Sequence, residues 1–152
     1  MENEKTIAVL NTLITINNDR IEGYETASKE TEEQDLKTLF AQFSSTSQKC
    51  KQELTNEVSK LGGTAAEGTL TIGKFFRVWM DVKAAITGKD RKAILSSCAY
   101  GEDIAKDTYK KALENEKENL SMEQQTMITA QHTLLGADHD KVKSMRDLAM
   151  AD

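Results

Sequence analysis

Glu102 stands where a helix ought to be apolar. At about 100° per residue, Ile94, Cys98, Gly101, Ala105, Tyr109 and Ala112 form one stripe, and Glu102 falls inside it while Asp103 points away. A carboxylate turned into a core costs several kcal/mol unless it is protonated, hydrogen-bonded, ion-paired or bound to a cation. Two chemistries fit such a group. In one, Glu102 hydrogen-bonds Tyr24, Asn17 or Gln131 in a dry polar network that fixes helix register. In the other it holds a metal ion. Counting outward from a turn near Asn119, Glu102 lies level with about Gly136, close to Asp138 and His139 on the next helix. Glu102, Asp138 or His139, Gln131, and Glu25 or Asn17 from the first helix would give one cation a few oxygen and nitrogen ligands.

No other catalytic arrangement emerges. His132 and His139 share one helix, with no Ser or Cys beside them in a nucleophile pattern. The pairs Glu102–Asp103 and Glu32–Glu33 straddle opposite faces or meet solvent, so neither is an acid and base dyad. Cys50 and Cys98 lie far apart on apolar stripes, which predicts two reduced, buried thiols. The string Gly68-Thr69-Leu70-Thr71-Ile72-Gly73-Lys74 matches the opening of a phosphate-binding loop. However, Phe75 replaces the magnesium-binding Ser or Thr and no strand precedes it, so we read a coincidence. No catalytic residue and no organic cofactor is assigned.

The elements that position Glu102 are helices. Of 152 residues, 30% are charged, 5% aromatic and none proline, a composition of helix formers sized for one domain over residues 1–152. The spacing predicts a first helix from about Glu2 to Ser28, with stripe Ile7, Leu10, Ile14, Asn17, Ile21 and Tyr24 and a broad apolar flank of Val9, Leu13 and Ile16; Asp19 and Glu22 project outward or to the flank. Thr31-Glu32-Glu33-Gln34 reads as a capping box opening a second helix, which ends at Gly62-Gly63. Ser47 is that helix's one polar core position. Thr64 to Lys89 is a crossover holding a short amphipathic helix with Phe75, Trp79, Val82 and Ile86 on its sticky face. Gly88 stops it and Asp90 caps the next helix, which runs to about Lys117. Ser121-Met122-Glu123-Gln124 reads as a second capping box, opening the last helix.

The net charge of -5 excludes a general nucleic-acid or anionic-membrane surface. No apolar run is long enough to span a bilayer, and the opening Met1-Glu2-Asn3-Glu4-Lys5 lacks the basic start of a signal peptide, which predicts a cytoplasmic protein.

The strings Asn18 to Glu25, Leu61-Gly62-Gly63, Arg77 to Asp81 and Gly101-Glu102-Asp103 resemble a bacterial family of ferritin-like four-helix-bundle proteins, a domain-of-unknown-function family related to stress-associated ferritin-like proteins. The resemblance covers roughly residues 5–116, and His139 to Asp147 more loosely. It implies an all-α, up-down-down-up four-helix bundle with a short extra helix in the long crossover between the second and third bundle helices. Di-iron members of that fold carry a Glu-x-x-His motif on two helices. Here Thr129 and Gly136 stand three residues before His132 and His139, so no full di-iron set can be drawn.

Two functions follow. The first is a non-enzymatic bundle acting through helix-helix association, with the broad arc of the first helix predicting a homodimer through that helix and the crossover helix, or a buried crossover. The alternative is an iron or manganese oxidase or peroxide scavenger with a reduced site of Glu102, Glu25, Asp138, His139 and Gln131. If Glu102 sits in a polar network, Glu102→Gln should be nearly neutral and Glu102→Leu should cost about 1–3 kcal/mol.

Overall fold

A computed structural model describes residues 2–69 and 74–151. The chain is all α: α1 (Glu2–Glu30), α2 (Gln34–Lys60), α3 (Lys74–Thr87), α4 (Arg91–Asn115) and α5 (Met122–Ala151), with a single 3-10 turn at Lys117–Asn119 and no strand among the described residues. None of these helices is long and apolar enough to cross a membrane.

Short turns make two antiparallel hairpins, α1 with α2 and α4 with α5, while α3 packs chiefly on α4. Side-chain pairs give the directions across the hairpins. Asn17 and Arg20 of α1 meet Tyr109 and Glu102 of α4, in opposite chain order. Gln42, Cys50 and Glu57 of α2 meet Lys141, Gln131 and Gln124 of α5, again reversed. Helices α1 and α5 therefore point one way, and α2 and α4 the other.

The core is split in two. One apolar cluster gathers Tyr24, Leu36, Phe40, Phe43, Ile94 and Leu95 with α3 residues such as Phe75 and Val82. The other gathers Leu10, Leu13, Ile14, Leu54, Val58, Ile128 and Leu135. Between them lie the buried polar side chains Asn17, Arg20, Ser47, Glu102 and Gln131. This polar waist crosses α1, α2, α4 and α5 near their midpoints.

Helix ends follow local chemistry, with one departure from expectation. Ser121 and Gln124 form the reciprocal capping box: the Ser121 amide donates to Gln124 Oε1 at 2.8 Å and the Gln124 amide to Ser121 Oγ at 3.1 Å. Asp90 accepts from the Ala93 amide. At the end of α2, Gly62 adopts φ +80°, and the amides of Gly62 and Gly63 close on Ser59 and Val58 in a Schellman turn. The box expected at Thr31 does not form. Glu33 is the residue before the helix, Thr31 Oγ1 accepts from the Glu33 amide, and Arg91 bonds both Glu33 and Asp35. Helix α3 ends at Thr87, just before Gly88 as expected, and the left-handed residue is Lys89 after it, with φ +54°.

The apolar arc of α1 is used within the chain, since Val9, Leu13 and Ile16 are all buried. The crossover after α2 runs along α1. Asn11 and Asn18 tie it down, the first bonding the Thr64 carbonyl and the Ala66 amide, the second the carbonyls of Ala66 and Gly68. Helix α3 then lies so close to α1 that a Cβ on Gly23 would sit 2.4 Å from the Trp79 ring. Asp19, expected to project outward or to the flank, is buried on this side, and Ser44 joins Ser47 as a buried hydroxyl of α2. Of the phosphate-loop-like string, Leu70 to Gly73 lie outside the described residues, and Phe75 is core.

Candidate functional site

The waist is built around one ion pair. Glu102 is 1% exposed and Arg20 fully buried. Arg20 Nε donates to Glu102 Oε2 at 3.0 Å and Nη2 donates to Oε1 at 2.7 Å, the two-pronged geometry that a planar guanidinium makes with a carboxylate. Tyr24 Oη donates to the same Oε2 at 2.8 Å. Arg20 Nη1 reaches Ser47 Oγ, and Nη2 also donates to Asp138 Oδ2 at 3.1 Å. The guanidinium lies 5.4 Å from the Tyr24 ring centre and 5.9 Å from that of Phe43, so aromatic faces close the charge off from above. All four waist helices contribute: α1 Arg20 and Tyr24, α2 Ser47, α4 Glu102, α5 Asp138.

A second network, built on amide and phenol groups, lies one turn away. Asn17 donates to Tyr109 Oη at 2.8 Å, and Tyr109 donates to Gln131 Oε1 at 2.7 Å. Gln131 Nε2 in turn donates to the Cys50 carbonyl and to Glu53. The two networks together pair most of the buried polar groups at mid-height; Asn17 Oδ1 is one buried oxygen there without a partner among the described residues.

The charges tune one another. Burial works against the Arg20 charge, but Glu102, Tyr24 and Asp138 together outweigh it, and the guanidinium is held above its ordinary pKa. Burial, then Glu102, pushes the Tyr24 phenol well up, so it stays a donor. Burial likewise raises the Cys98 thiol, helped by Glu102, and pushes Cys50 up to about 11. Neither thiol is a nucleophile at neutral pH. Asp138 is raised by burial, with Arg20 opposing the shift. When all are ionised, Arg20, Glu102 and Asp138 carry one excess negative charge.

The residues expected to ligate a metal do not converge. Glu102 and Asp138 meet, and the group between them is Arg20. Glu25 is exposed and accepts from Gln48. Gln131 belongs to the second network, with Tyr109 and Glu53. His139 Nε2 pairs with Asp103 at 2.5 Å and its Nδ1 with Asp140 at 3.2 Å. Among the described residues no three His, Cys, Asp or Glu side chains gather into a set that could hold a metal ion. An iron or manganese ion at Glu102 would have to displace a guanidinium that already fills both carboxylate oxygens, so these residues do not fit it.

Arg20 is the residue that sequence reasoning missed. It lies three residues after Asn17 and four before Tyr24, on the same stripe, where Ile21 is the apolar competitor. The available signal was charge: a buried acid calls for a cation, and Arg20 is the one arginine in α1.

A family model described as a domain of unknown function, DUF2383, matches residues 5–115. The chain belongs to the DUF2383 family. The DUF2383 match ends where α4 ends, so it includes Arg20, Tyr24, Ser47 and Glu102 and leaves out the whole of α5, with Asp138 and Gln131. No curated protein matches the chain.

Proposed function

We propose that this DUF2383 protein is a ferritin-like four-helix bundle whose interior cation is its own Arg20 side chain, and that it is a non-enzymatic protein acting through helix-helix association. The observation that carries the reading is the saturation of Glu102. Its two oxygens accept three hydrogen bonds, two from Arg20 and one from Tyr24, inside a waist shared by four antiparallel helices. A permanently charged guanidinium does there what a metal ion does elsewhere, neutralising buried carboxylate, but it offers no open coordination position and no change of oxidation state. Inert thiols and high-pKa phenols beside it add no nucleophile or base.

Elemental analysis separates this from the iron or manganese oxidase. Protein produced in medium supplemented with both metals should carry neither in stoichiometric amount, in the natural chain or in Glu102→Ala. One iron or manganese per chain in the natural protein, lost in Glu102→Ala, would overturn the reading.

A further inference from the structure

The waist leaves one open feature of the molecule unexplained. Between α1 and α3 runs a groove of about 400 Å³ whose two walls differ in chemistry. The α3 wall is apolar: Phe76 and Met80, one turn apart, are 38% and 57% exposed, above the half-buried Trp79. The α1 wall is acidic, with Glu22 and Glu30 exposed two turns apart along its edge. Lys83 is the one basic residue among the described residues of the lining. The indole N–H of Trp79, the only tryptophan, is buried and has no acceptor among the described residues. Surface large apolar side chains are unremarkable singly; a pair at helical spacing beside a half-buried tryptophan is a contact surface.

We propose that this groove receives a basic amphipathic helix from another protein, its apolar face on Phe76, Met80 and Trp79 and its lysine or arginine flank against Glu22 and Glu30. Length agrees: the exposed acids run from Glu22 to Glu30, about 12 Å at 1.5 Å per residue, a little over two turns of a docked helix. Charge selects the occupant. A second copy of this chain brings a net charge of -5, and a face-to-face pair would set Glu22 and Glu30 against their own counterparts. The inference rests on the reading that the protein acts through helix-helix association, and it names the surface and the partner chemistry.

The test uses the full chain and a synthetic amphipathic peptide of about 15 residues built from Leu and Lys, with a Leu and Glu peptide of the same pattern as control. Titration followed by Trp79 emission and by calorimetry should show saturable one-to-one binding of the Lys peptide alone. Met80→Glu and Glu22→Lys, both at exposed positions, should each weaken it about tenfold or more while leaving the helical circular dichroism and melting temperature unchanged. Met80→Glu adds an acid, so weaker binding in that variant is the opposite of what diffuse attraction to an acidic protein would give. Three results would overturn the inference: no saturable binding, equal binding by Met80→Glu, or light scattering that shows a dimer of the natural chain dissociating in Met80→Glu. The last would hand the groove to a second copy and keep the association reading, and none of the three bears on the metal content of the chain.

Discussion

Arg20 and Glu102 form a two-pronged ion pair, at 3.0 and 2.7 Å, with neither side chain more than 1% exposed. Such a pair adds little net stability over an apolar replacement of both partners, because desolvating two charges offsets their attraction. Removing one partner is different, since it strands the other. Arg20→Leu should therefore cost about 3–5 kcal/mol in urea denaturation at neutral pH, leaving Glu102 and Asp138 facing each other without a cation. Arg20→Lys keeps the charge but not the fork, and about 1–3 kcal/mol is expected. A Lys variant as stable as the natural chain would mean that charge alone, and not the paired geometry, holds the waist.

Glu102 itself gives the converse measurement. With neutral partners, Glu102→Gln would be nearly silent; with Arg20 as the partner it is not. The amide offers one acceptor where the carboxylate gave two, and its NH2 faces the donors of Arg20 and Tyr24. Glu102→Gln should cost about 1–2 kcal/mol and Glu102→Leu about 3–5, the latter stranding the guanidinium. The double variant Arg20→Leu with Glu102→Leu should recover much of that loss, and a double-mutant cycle in urea would read the coupling directly. Strictly additive losses would show that the two side chains do not act as a pair.

Asp138 makes stability depend on pH. Burial raises its folded-state pKa above the ordinary carboxylate value, against the pull of Arg20. A carboxyl raised by folding favours its protonated form in the folded state, so it takes stability away as pH climbs through the folded pKa and returns it on acidification towards the ordinary carboxylate range. Asp35 has the opposite sign. The Arg91 hydrogen bond lowers it, so its contribution is present above the ordinary carboxylate pKa and is lost as pH falls; it is mostly exposed and weighs little. Asp138→Asn keeps an acceptor for Arg20 and removes the excess negative charge of the waist. Denaturation at a series of pH values should find the Asn variant at least as stable as the natural chain at neutral pH, with a flatter profile on the acid side. A variant whose profile keeps the natural slope would assign that slope to another group.

Much of this architecture was legible because it is periodic. The stripe through Ile94, Cys98, Ala105 and Tyr109 put Glu102 inside, and Glu102 is inside. Tyr24 was among the partners expected for it and bonds it; Asn17 and Gln131, also expected there, instead hold Tyr109. Helical period is blind between neighbours, and that is where Arg20 was lost: Arg20 and Ile21 both fit the stripe, hydropathy chose Ile21, and the demand of Glu102 for a cation chose Arg20. One helix start, that of α2, departed from expectation. Thr31-x-x-Gln34 and Ser121-x-x-Gln124 carry the same pattern, yet only the second closes: the Thr31 amide still donates to the Ala27 carbonyl of α1, and its hydroxyl accepts from the Glu33 amide. How far the preceding helix runs cannot be read from four residues.

The end of α3 offers a test of the same limit. Gly88 ends the helix, and the left-handed position falls on the next residue, Lys89, with φ +54°. Its amide closes on the Ile86 carbonyl while the Asp90 amide closes on that of Ala85, the pair of bonds of a Schellman turn with Lys89 as the residue past the cap. A side chain with a Cβ pays a steric penalty there that glycine escapes. Lys89→Gly should therefore stabilise the protein by about 0.5–1 kcal/mol despite the added freedom of the unfolded chain. The ion pair it gives up, with Glu32 at 3.3 Å, joins two largely exposed side chains and contributes little. Gly88→Ala is the control: its Cβ would stand 3.5 Å from the Ala84 carbonyl, an ordinary contact, so the change should be close to neutral. Thermal unfolding of the two variants beside the natural chain decides it, and a destabilising Gly88→Ala with a silent Lys89→Gly would return the left-handed position to the glycine.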